Sequence, residues 1–506
     1  MIDESIGQTF CAEDRNSFKM KNKIINKKNK KDYFVWSNYG FSRDLSRIVF
    51  SNSYRRLSGK TQIFPPYENE HLINRLTHTL MVNNIAMDIA SRINKIDKHN
   101  YCVNLDLVQA ISNGHDIGHT PFGHAGERKL NSLSKKENGF TNDYFFKHNI
   151  FSVDVLQNLD RVKGFNEGYD LSWQVIDGIL KHTEIGSADK NIDELNYLIN
   201  HNFFSSPELN QCLYQISEQY INYYKYPYPL TIEGQIVKVS DELAQYYHDI
   251  LDLSRFFGQQ QVSENFIENI FTLETFEEDY VMKFIRSFSD GQNIKMKKFQ
   301  DPNNREFFCN ELKELFINDI INTFINWIEL QNQKIILGKN EKRFIVRNCF
   351  FKKENNKVEL IFHSKYVNKV AEFLRQYRKE MISTLEIREL DNRGANIIGE
   401  GYKKIRSDKE LFCKYCIRDI VYNTKKIGEK FKLGCENLIE KDDKKITLKN
   451  MEELQNQYID LLFLFINGDE KIIVNPKISD YLKNLCHGVI IESIAKMTDH
   501  FIEKKL

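Results

Sequence analysis

The sequence predicts an all-α protein, and three observations carry that prediction. Only 8 Pro and 23 Gly interrupt 506 residues. Between them apolar side chains recur at every third or fourth position, the period at which a helix turns one face toward a core. Strand-like alternation is confined to Arg343 to Phe351 and Lys357 to Phe362, so a short β-hairpin about Asn355–Asn356, within 343–362, is the departure expected.

Taken in order, the chain opens with a segment, 1–35, whose Lys19–Lys31 run (KMKNKIINKKNKK) is basic, rich in Asn and poor in apolar residues. Such a run reads as a flexible arm, a solvated tail in preference to a contact for single-stranded nucleic acid or phosphate. A catalytic domain is expected over 36–260, where the chemistry-bearing residues concentrate, and a helical C-terminal region over 261–506. One amphipathic helix carries Leu76, Leu80, Ile85, Ile89 and Ile93, with polar Asn83, Asn84 and Asp88 between them. Another runs from Ile236 through Leu243 and Tyr247 to Leu251.

Composition excludes several classes of protein. Lys+Arg 71 against Asp+Glu 70 leaves a formal charge of +1, so any nucleic-acid binding has to come from a local patch. Hydrophobic residues at 41% and charged ones at 28% make an ordinary soluble balance, in a chain long enough for a substantial core. Nine Cys without regular spacing read as reduced thiols. The lone CxxC, Cys413 and Cys416, reads as two core residues about one helical turn apart, because a structural zinc needs four ligands. No stretch approaches the roughly 20 apolar residues of a membrane span, and the N-terminus has no apolar signal core. A cytoplasmic protein with no membrane partner is expected.

The densest chemistry lies at 110–127, AISNGHDIGHTPFGHAGE, where three His, one Asp and one Glu sit among four Gly and a Pro. Gly and Pro shape a turn at the end of a helix, from which adjacent His115 and Asp116 can both point at one ion. A divalent metal accepts imidazole nitrogen and carboxylate oxygen together. Two further ligand candidates lie on helices. His78 follows Ile73 and Leu76 in INRLTHTLMVNNIAMDIA, where a packed core histidine is the alternative. Asp241 lies in EGQIVKVSDELAQYYHDILD with Gln245 and Asp249 at four and eight residues on, all on one helix face. A carboxylate near an apolar stripe needs a partner, and a metal is one.

The order His78, His115–Asp116, Asp241 resembles the HD superfamily of metal-dependent phosphohydrolases, and within it the deoxyguanosine triphosphate triphosphohydrolase family. SRDLSRIVFSNSYRRLSGKTQIF (42–64) resembles that family's arginine-rich signature, RLTHTL its first metal motif and GHDIGHTPFGHAGE its second. NGF (138–140), FKHNIFSVDVL (146–156), LSWQVIDGILKH (171–182) and the Asp241 segment follow in the family's order, so the likeness spans roughly 42–252. It thins to ELDNRGANII (389–398) and IAKMTDHF (494–501). His500 stands where the family carries Arg, and Gln245 replaces its tyrosine.

The resemblance implies an HD-domain helical fold whose last helices, about 478–503, return to the nucleotide site. It implies His78, His115, Asp116 and Asp241 as ligands of a divalent ion, Mn²⁺ or Mg²⁺, and His124 with Glu127 as the catalytic pair, at the family's offsets of nine and twelve residues from His115. A carboxylate orients an imidazole that then moves a proton; a capping pair in a tight turn is the alternative. His119, His148 and Arg75 match groups that approach the phosphates, and an arginine fork suits phosphate oxygens. Gln62, Asp249 and Asn149 match substrate contacts, the first two at the deoxyribose and its 3′-hydroxyl. Arg43, Arg47, Arg55, Arg56 and Lys60 fit either phosphate contacts or links to neighbouring helices or subunits.

The implied reaction converts a dNTP, dGTP first among them, to deoxynucleoside and inorganic triphosphate, in a homo-oligomer of hexameric or dimer-based form. Other HD hydrolases are the rivals. A guanosine-tetraphosphate hydrolase follows His-Asp with a Glu-Asp pair, whereas this chain reads His115-Asp116-Ile117-Gly118-His119. A cyclic-nucleotide phosphodiesterase uses extra His ligands for a second metal, which the sequence does not display. A non-enzymatic nucleotide or nucleic-acid-responsive regulator, or a structural oligomerisation protein, would be expected to have lost a ligand or the His124–Glu127 pair.

Overall fold

Side chains that accept from exposed helix N–H groups set where the first helices begin. Ser51 Oγ accepts from Tyr54 N at 3.0 Å, Asn74 Oδ1 from Thr77 N at 2.9 Å and Asn104 Oδ1 from Leu107 N at 3.1 Å. The computed structural model describes residues 40–64, 71–96, 103–134, 146–160, 168–169, 171–183, 228–229, 231–256, 270–271, 278–290, 293–294, 302–335, 349–354, 357–416, 463 and 476–506. Its first half holds α1 (Gly40–Val49), α2 (Asn52–Arg56), α3 (Arg75–Ile96), α4 (Leu105–Gly114), α5 (Gly123–Leu133), α6 (His148–Asp154), α7 (Trp173–Leu180) and α8 (Ile232–Phe256). Its second holds α9 (Asp279–Ser287), α10 (Pro302–Ile335), α11 (Lys365–Ile382), α12 (Leu385–Ser407), α13 (Pro476–Ala495) and α14 (Asp499–Lys505). The all-α prediction holds.

Helix α3 is the central element, packed against α4 on one side and α8 on another, while α1 and α7 close over α4. Val82, Ile85, Ala86, Ile89, Ala90 and Ile93 form its buried face, and two alanines in that stripe let the neighbouring helices approach closely. Leu80 departs from the expected stripe, being 51% exposed. The cause is rotational. At 100° per residue, Leu80 points away from the direction of His78, two residues earlier, and His78 faces inward. The second expected stripe is realised on α8, where Ile236, Leu243 and Leu251 are buried.

The second half packs directly on the first. Helix α10 lies against α8 and α3, and Arg92 of α3 reaches Glu314 of α10 at 2.8 Å while also pairing with Asp88. Helix α12 packs on α5, α13 and α14. A single buried apolar cluster includes residues from Phe41 to Ile502. The boundary expected near 260, the arm at Lys19–Lys31 and the 138–140 motif lie outside the described residues.

The expected hairpin is present among the described residues, where its strands are short, while 343–348 lie outside them. Phe351–Glu354 pairs antiparallel with Lys357–Leu360, Glu354 opposite Lys357, and Asn355–Asn356 lie outside the described residues. Phe351 and Leu360 are buried opposite each other, while Lys352 faces Glu359 on the exposed side. Of Arg343 to Phe351, only Phe351 lies in a strand among the described residues. A second pair, Ser289–Asp290 with Asn293–Ile294, has no alternating pattern to announce it. Cys309, Cys349, Cys413, Cys416 and Cys486 are thiols, and the CxxC pair joins none of the metal-ligand clusters among the described residues.

Candidate functional site

Three glycines let the motif at 114–126 fold tightly. A Cβ on Gly114 would sit 2.5 Å from Ile179 Cδ1, and one on Gly118 would sit 2.2 Å from Ser152 N and 2.3 Å from the His148 carbonyl. Only glycine therefore lets the His115–Asp116 turn press against α6. A Cβ on Gly126 would meet the Pro121 carbonyl at 2.0 Å. Phe122 and Gly123 both adopt the left-handed conformation (φ 57° and 55°), which starts α5 and places His124 in its first turn.

Four imidazoles are anchored through Nδ1, leaving Nε2 to face the centre. His115 and His182 each hold a backbone carbonyl at 2.6 Å, Ser112 and Ile179 respectively, so each must carry its proton on Nδ1. His148 Nδ1 meets Glu127 Oε2 at 3.0 Å, and His78 Nδ1 meets His248 Nε2 at 3.0 Å. At the centre, His78 Nε2 stands 3.0 Å from Asp241 Oδ1 and 3.7 Å from Asp116 Oδ2. His115 Nε2 is 3.6 Å from Asp116 Oδ1 and has no hydrogen-bond partner although buried. Donor atoms of His78, His115 and Asp116 lie within 4.8 Å of one another, as do those of His115, His182 and Asp241. Buried imidazoles tied at the far nitrogen, an orphaned inward Nε2 and two buried carboxylates make a donor set that fits a divalent cation.

Electrostatics favour ionised carboxylates and neutral imidazoles here. Burial pushes the Asp116 carboxyl up, but His115, His119 and the Arg75 guanidinium outweigh it and hold the group well below the usual range. Burial likewise raises Asp241, and its contacts with His78 and the other imidazoles lower it further than burial raises it. Burial depresses His78 and His119, and brings His182 down to about 3.

The remaining expected residues divide into three groups. His119 is buried with Nε2 3.2 Å from Asp116 Oδ1, stacked on His148 at 3.8 Å between ring centroids. Arg75 is buried at the same carboxylate, its guanidinium 2.9 Å from Asp116 Oδ2 and its Nε donating to the Thr61 carbonyl. His124 is exposed, with Nδ1 3.2 Å from Glu127 Oε2, so Glu127 serves two histidines at once.

Asn149 is fixed by donating to the Leu180 carbonyl at 2.6 Å, which ties α6 to the end of α7. Gln62 Nε2 lies 3.5 Å from His248 Nε2. Asp249 has His248 Nδ1 at 2.9 Å and Arg378 Nε at 2.6 Å, while Gln245 accepts from Arg378 at 2.7 Å. Among the basic residues, Arg47 donates to the Tyr169 carbonyl, Arg55 to Asn52, and Lys60 to the carbonyls of His119 and Ala495. The C-terminal segment reaches the site through Asp499, which accepts from Thr61 N at 2.9 Å and Phe122 N at 3.0 Å; His500 is exposed.

Sequence reasoning passed over two histidines. His182 closes the LSWQVIDGILKH motif, one residue beyond the cap of α7, and His248 forms a second His-Asp dipeptide with Asp249. That dipeptide, and the Lys-His ending of a helix, were the available signals.

An all-helical scaffold presenting His and His-Asp from adjacent helix ends, with a further Asp from a third helix, defines the HD class, and residues 75–246 match the HD domain family. Over 212 residues the chain is 35% identical to deoxyguanosinetriphosphate triphosphohydrolase-like proteins of Rickettsia bellii and Rickettsia felis, covering 42% of this chain and 46% of each relative. A protein of the same description from Rickettsia prowazekii is 33% identical over 214 residues. Residues 75–246 thus carry the HD domain, and the chain is similar to deoxyguanosinetriphosphate triphosphohydrolase-like proteins over about half the length of those relatives. No helix among the described residues is long and apolar enough to cross a membrane.

Proposed function

We propose that the protein is a metal-dependent deoxynucleoside triphosphate triphosphohydrolase that converts dGTP, and other dNTPs to an extent set by its base pocket, to deoxynucleoside and inorganic triphosphate. The observation that carries this reading is the convergence of His78, His115, Asp116 and Asp241, beside a buried arginine and an oriented exposed histidine, in a chain related to dGTP triphosphohydrolase-like proteins. Those four residues would hold Mn²⁺ or Mg²⁺. When bound, such an ion supplies Lewis acidity at a phosphate oxygen and lowers the pKa of water.

The chain's own residues do the rest. Arg75 and His119, both against Asp116, line the side where phosphate charge must be met. His124, oriented by Glu127 and open to solvent, is the group placed to move a proton, most usefully onto the departing 5′-oxygen. Gln62 and Asp249 face the sugar, which favours deoxyribose through crowding at the 2′ position. Asn149, whose amide donates to the Leu180 carbonyl, is a further substrate contact on the same likeness. Attack of water at the α-phosphorus forms one P–O bond and breaks the bond to O5′, so the new oxygen belongs to triphosphate. The protein is further read as a cytoplasmic homo-oligomer, with single-stranded nucleic acid or a nucleotide as a candidate effector.

Hydrolysis in ¹⁸O-labelled water tests the reaction. One label is expected in triphosphate and none in deoxynucleoside. Early dNMP with pyrophosphate, or dNDP with phosphate, would show a different register and remove the triphosphohydrolase reading.

A further inference from the structure

Helices α8 and α11 meet in contacts that close into a ring. On α8, Asp241, Gln245 and Asp249 share one face at four-residue spacing, and Arg378 of α11 reaches the last two. Arg375, three residues before Arg378, pairs with Glu242 at 2.8 Å and fastens the two helices together. His78 Nε2 meets Asp241 Oδ1 at 3.0 Å, and Gln245 Nε2 donates to the same oxygen at 3.4 Å. Gln245 Oε1 accepts from Arg378 Nη1 at 2.7 Å, and Arg378 Nε stands 2.6 Å from Asp249 Oδ2. Asp249 Oδ1 faces His248 Nδ1 at 2.9 Å, and His248 Nε2 returns to His78 Nδ1 at 3.0 Å.

Chemistry fixes the direction of the glutamine in this ring. Arginine has only donors and an ionised carboxylate only acceptors, so a side chain that bridges them needs one acceptor and one donor. An amide has both. Through Arg378, Gln245 therefore joins Asp249, which the proposed function sets against the deoxyribose, to Asp241, which it sets on the ion.

The two arms of the ring differ in stiffness. On the histidine side, His78 and His248 are fully buried and linked at 3.0 Å. On the arginine side, the Arg378 side chain is 31% exposed, and the contact between Gln245 and Asp241 is the longest in the ring. The slack arm is the one that a bound sugar can tighten. Next to His248, buried Gln62 has its Nε2 at 3.5 Å from that ring and its Oε1 without a hydrogen-bond partner, an acceptor suited to a hydroxyl donor.

We propose that Gln245 and Arg378 are positioning residues that couple the sugar to the ion. A deoxynucleoside 3′-hydroxyl seated on Gln62 and Asp249 confines Arg378, Arg378 confines Gln245, and Gln245 holds Asp241 in its ion-binding orientation. The inference rests on the proposed function and adds that sugar and ion bind cooperatively with no phosphate to join them. Order imposed by the first ligand need not be imposed again by the second, which makes the coupling positive. Reciprocity requires the ion to tighten the sugar by the same factor.

The test is Mn²⁺ titration of the full chain, read by electron paramagnetic resonance of the free ion, alone and with each of the four deoxynucleosides at saturation. These carry no phosphate to ligate the ion. With a deoxynucleoside that binds, wild-type affinity for Mn²⁺ is expected to rise about fivefold or more, and nucleoside affinity to rise equally when Mn²⁺ is added first. The 2′,3′-dideoxynucleoside of the same base keeps the 5′-hydroxyl, lacks the 3′-hydroxyl and is expected to give no rise. Gln245→Leu is expected to bind both ligands with the rise cut to less than about twofold. A merely structural role would lower either affinity and leave their coupling intact. Arg378→Met, with the same expected loss of coupling, replaces the leucine protein if circular dichroism shows that it has not folded. Independent binding of the two ligands by the wild type overturns the coupling and leaves the proposed function standing. An equal rise with the dideoxynucleoside, or full coupling in a folded variant, overturns it in the same way. A wild type that binds no Mn²⁺, or none of the four deoxynucleosides, overturns the proposed function and the coupling with it.

Discussion

His248 stands between Asp249 and His78, with Nε2 3.0 Å from His78 Nδ1 and Nδ1 2.9 Å from Asp249 Oδ1. The Asp249 charge beside Nδ1 favours the His248 proton there, which leaves Nε2 of that ring to accept from His78 Nδ1 and the His78 lone pair on Nε2, facing Asp241. Asp249 therefore has a structural use besides any contact with sugar, and Arg378 holds its other side. Removing an outer partner of a metal-ligating histidine weakens binding by roughly 10- to 100-fold. His248→Ala is expected to lose Mn²⁺ affinity on that scale without losing helix content. His248→Gln keeps a donor and an acceptor and should recover part of it. Unchanged affinity in the alanine protein, measured by equilibrium dialysis, would show that His78 needs no such support.

Glu127 divides its carboxylate between an exposed histidine and a buried one, which separates two kinds of defect. His124→Ala removes the exposed partner alone. It is expected to slow turnover by roughly a hundred- to ten-thousand-fold, the span for a lost general acid or base, while bound Mn²⁺ stays the same. Glu127→Ala also frees His148, which the resemblance puts at the phosphates, so it should reduce both turnover and nucleotide affinity. Wild-type rates in the His124→Ala protein would exclude that residue from the proton transfer.

What the sequence displayed and what it concealed differ for physical reasons. His115 and Asp116 were legible because an adjacent imidazole and carboxylate in a Gly-rich turn contribute little to packing and suit a shared cation. The helical class and the stripe Ile85, Ile89, Ile93 were legible from period alone. His182 was concealed because a lone histidine after a helix carries no sign of which way it points. That direction is set by the Ile179 carbonyl and by the close contact of Gly114 with Ile179. Leu80 misled for the same reason: an apolar residue in register with a stripe is exposed when a polar residue two positions earlier takes the inward direction. The partnership of Asp499 with Thr61 and Phe122 joins residues hundreds of positions apart, and no local pattern encodes it.

Lys60, which is not itself a metal ligand, supplies a pH dependence of stability. Burial, aided by Arg56, lowers its pKa from 10.5 to about 7. Because the folded value lies below the unfolded one, the unfolded chain binds the extra proton between those two values. Stability must then rise with pH across that window, by up to about 1.4 kcal/mol per pH unit from this group alone. Lys60→Met, which keeps the length of the side chain without the charge, is expected to flatten that rise. Urea unfolding at each end of the window measures it, and an identical slope in the two proteins would show that Lys60 stays protonated in the fold.

The C-terminal end of the chain is expected to control the catalytic turn through a single carboxylate. Asp499, buried at the start of α14, accepts from Thr61 N at 2.9 Å, from Phe122 N at 3.0 Å and from the Thr61 hydroxyl. Phe122 is the one non-glycine residue with positive φ among the described residues, a conformation that costs about 1–2 kcal/mol and persists only where its surroundings impose it. Gly394 of α12 contributes by closeness, since a Cβ there would lie 2.6 Å from Phe122 Cβ. Asp499→Ala orphans two buried N–H groups at about 1–3 kcal/mol each, and lets Phe122 relax toward ordinary backbone. The expected outcome is a loss of about 3 kcal/mol in urea unfolding. Turnover should also fall at temperatures where the variant remains folded, because the relaxed turn no longer aims His124, two residues on. Asp499→Asn keeps one carbonyl acceptor and should fall between the two. An alanine variant that loses stability but keeps full turnover would show that the turn holds its shape unaided, and that the C-terminal helix braces the fold without aiming His124.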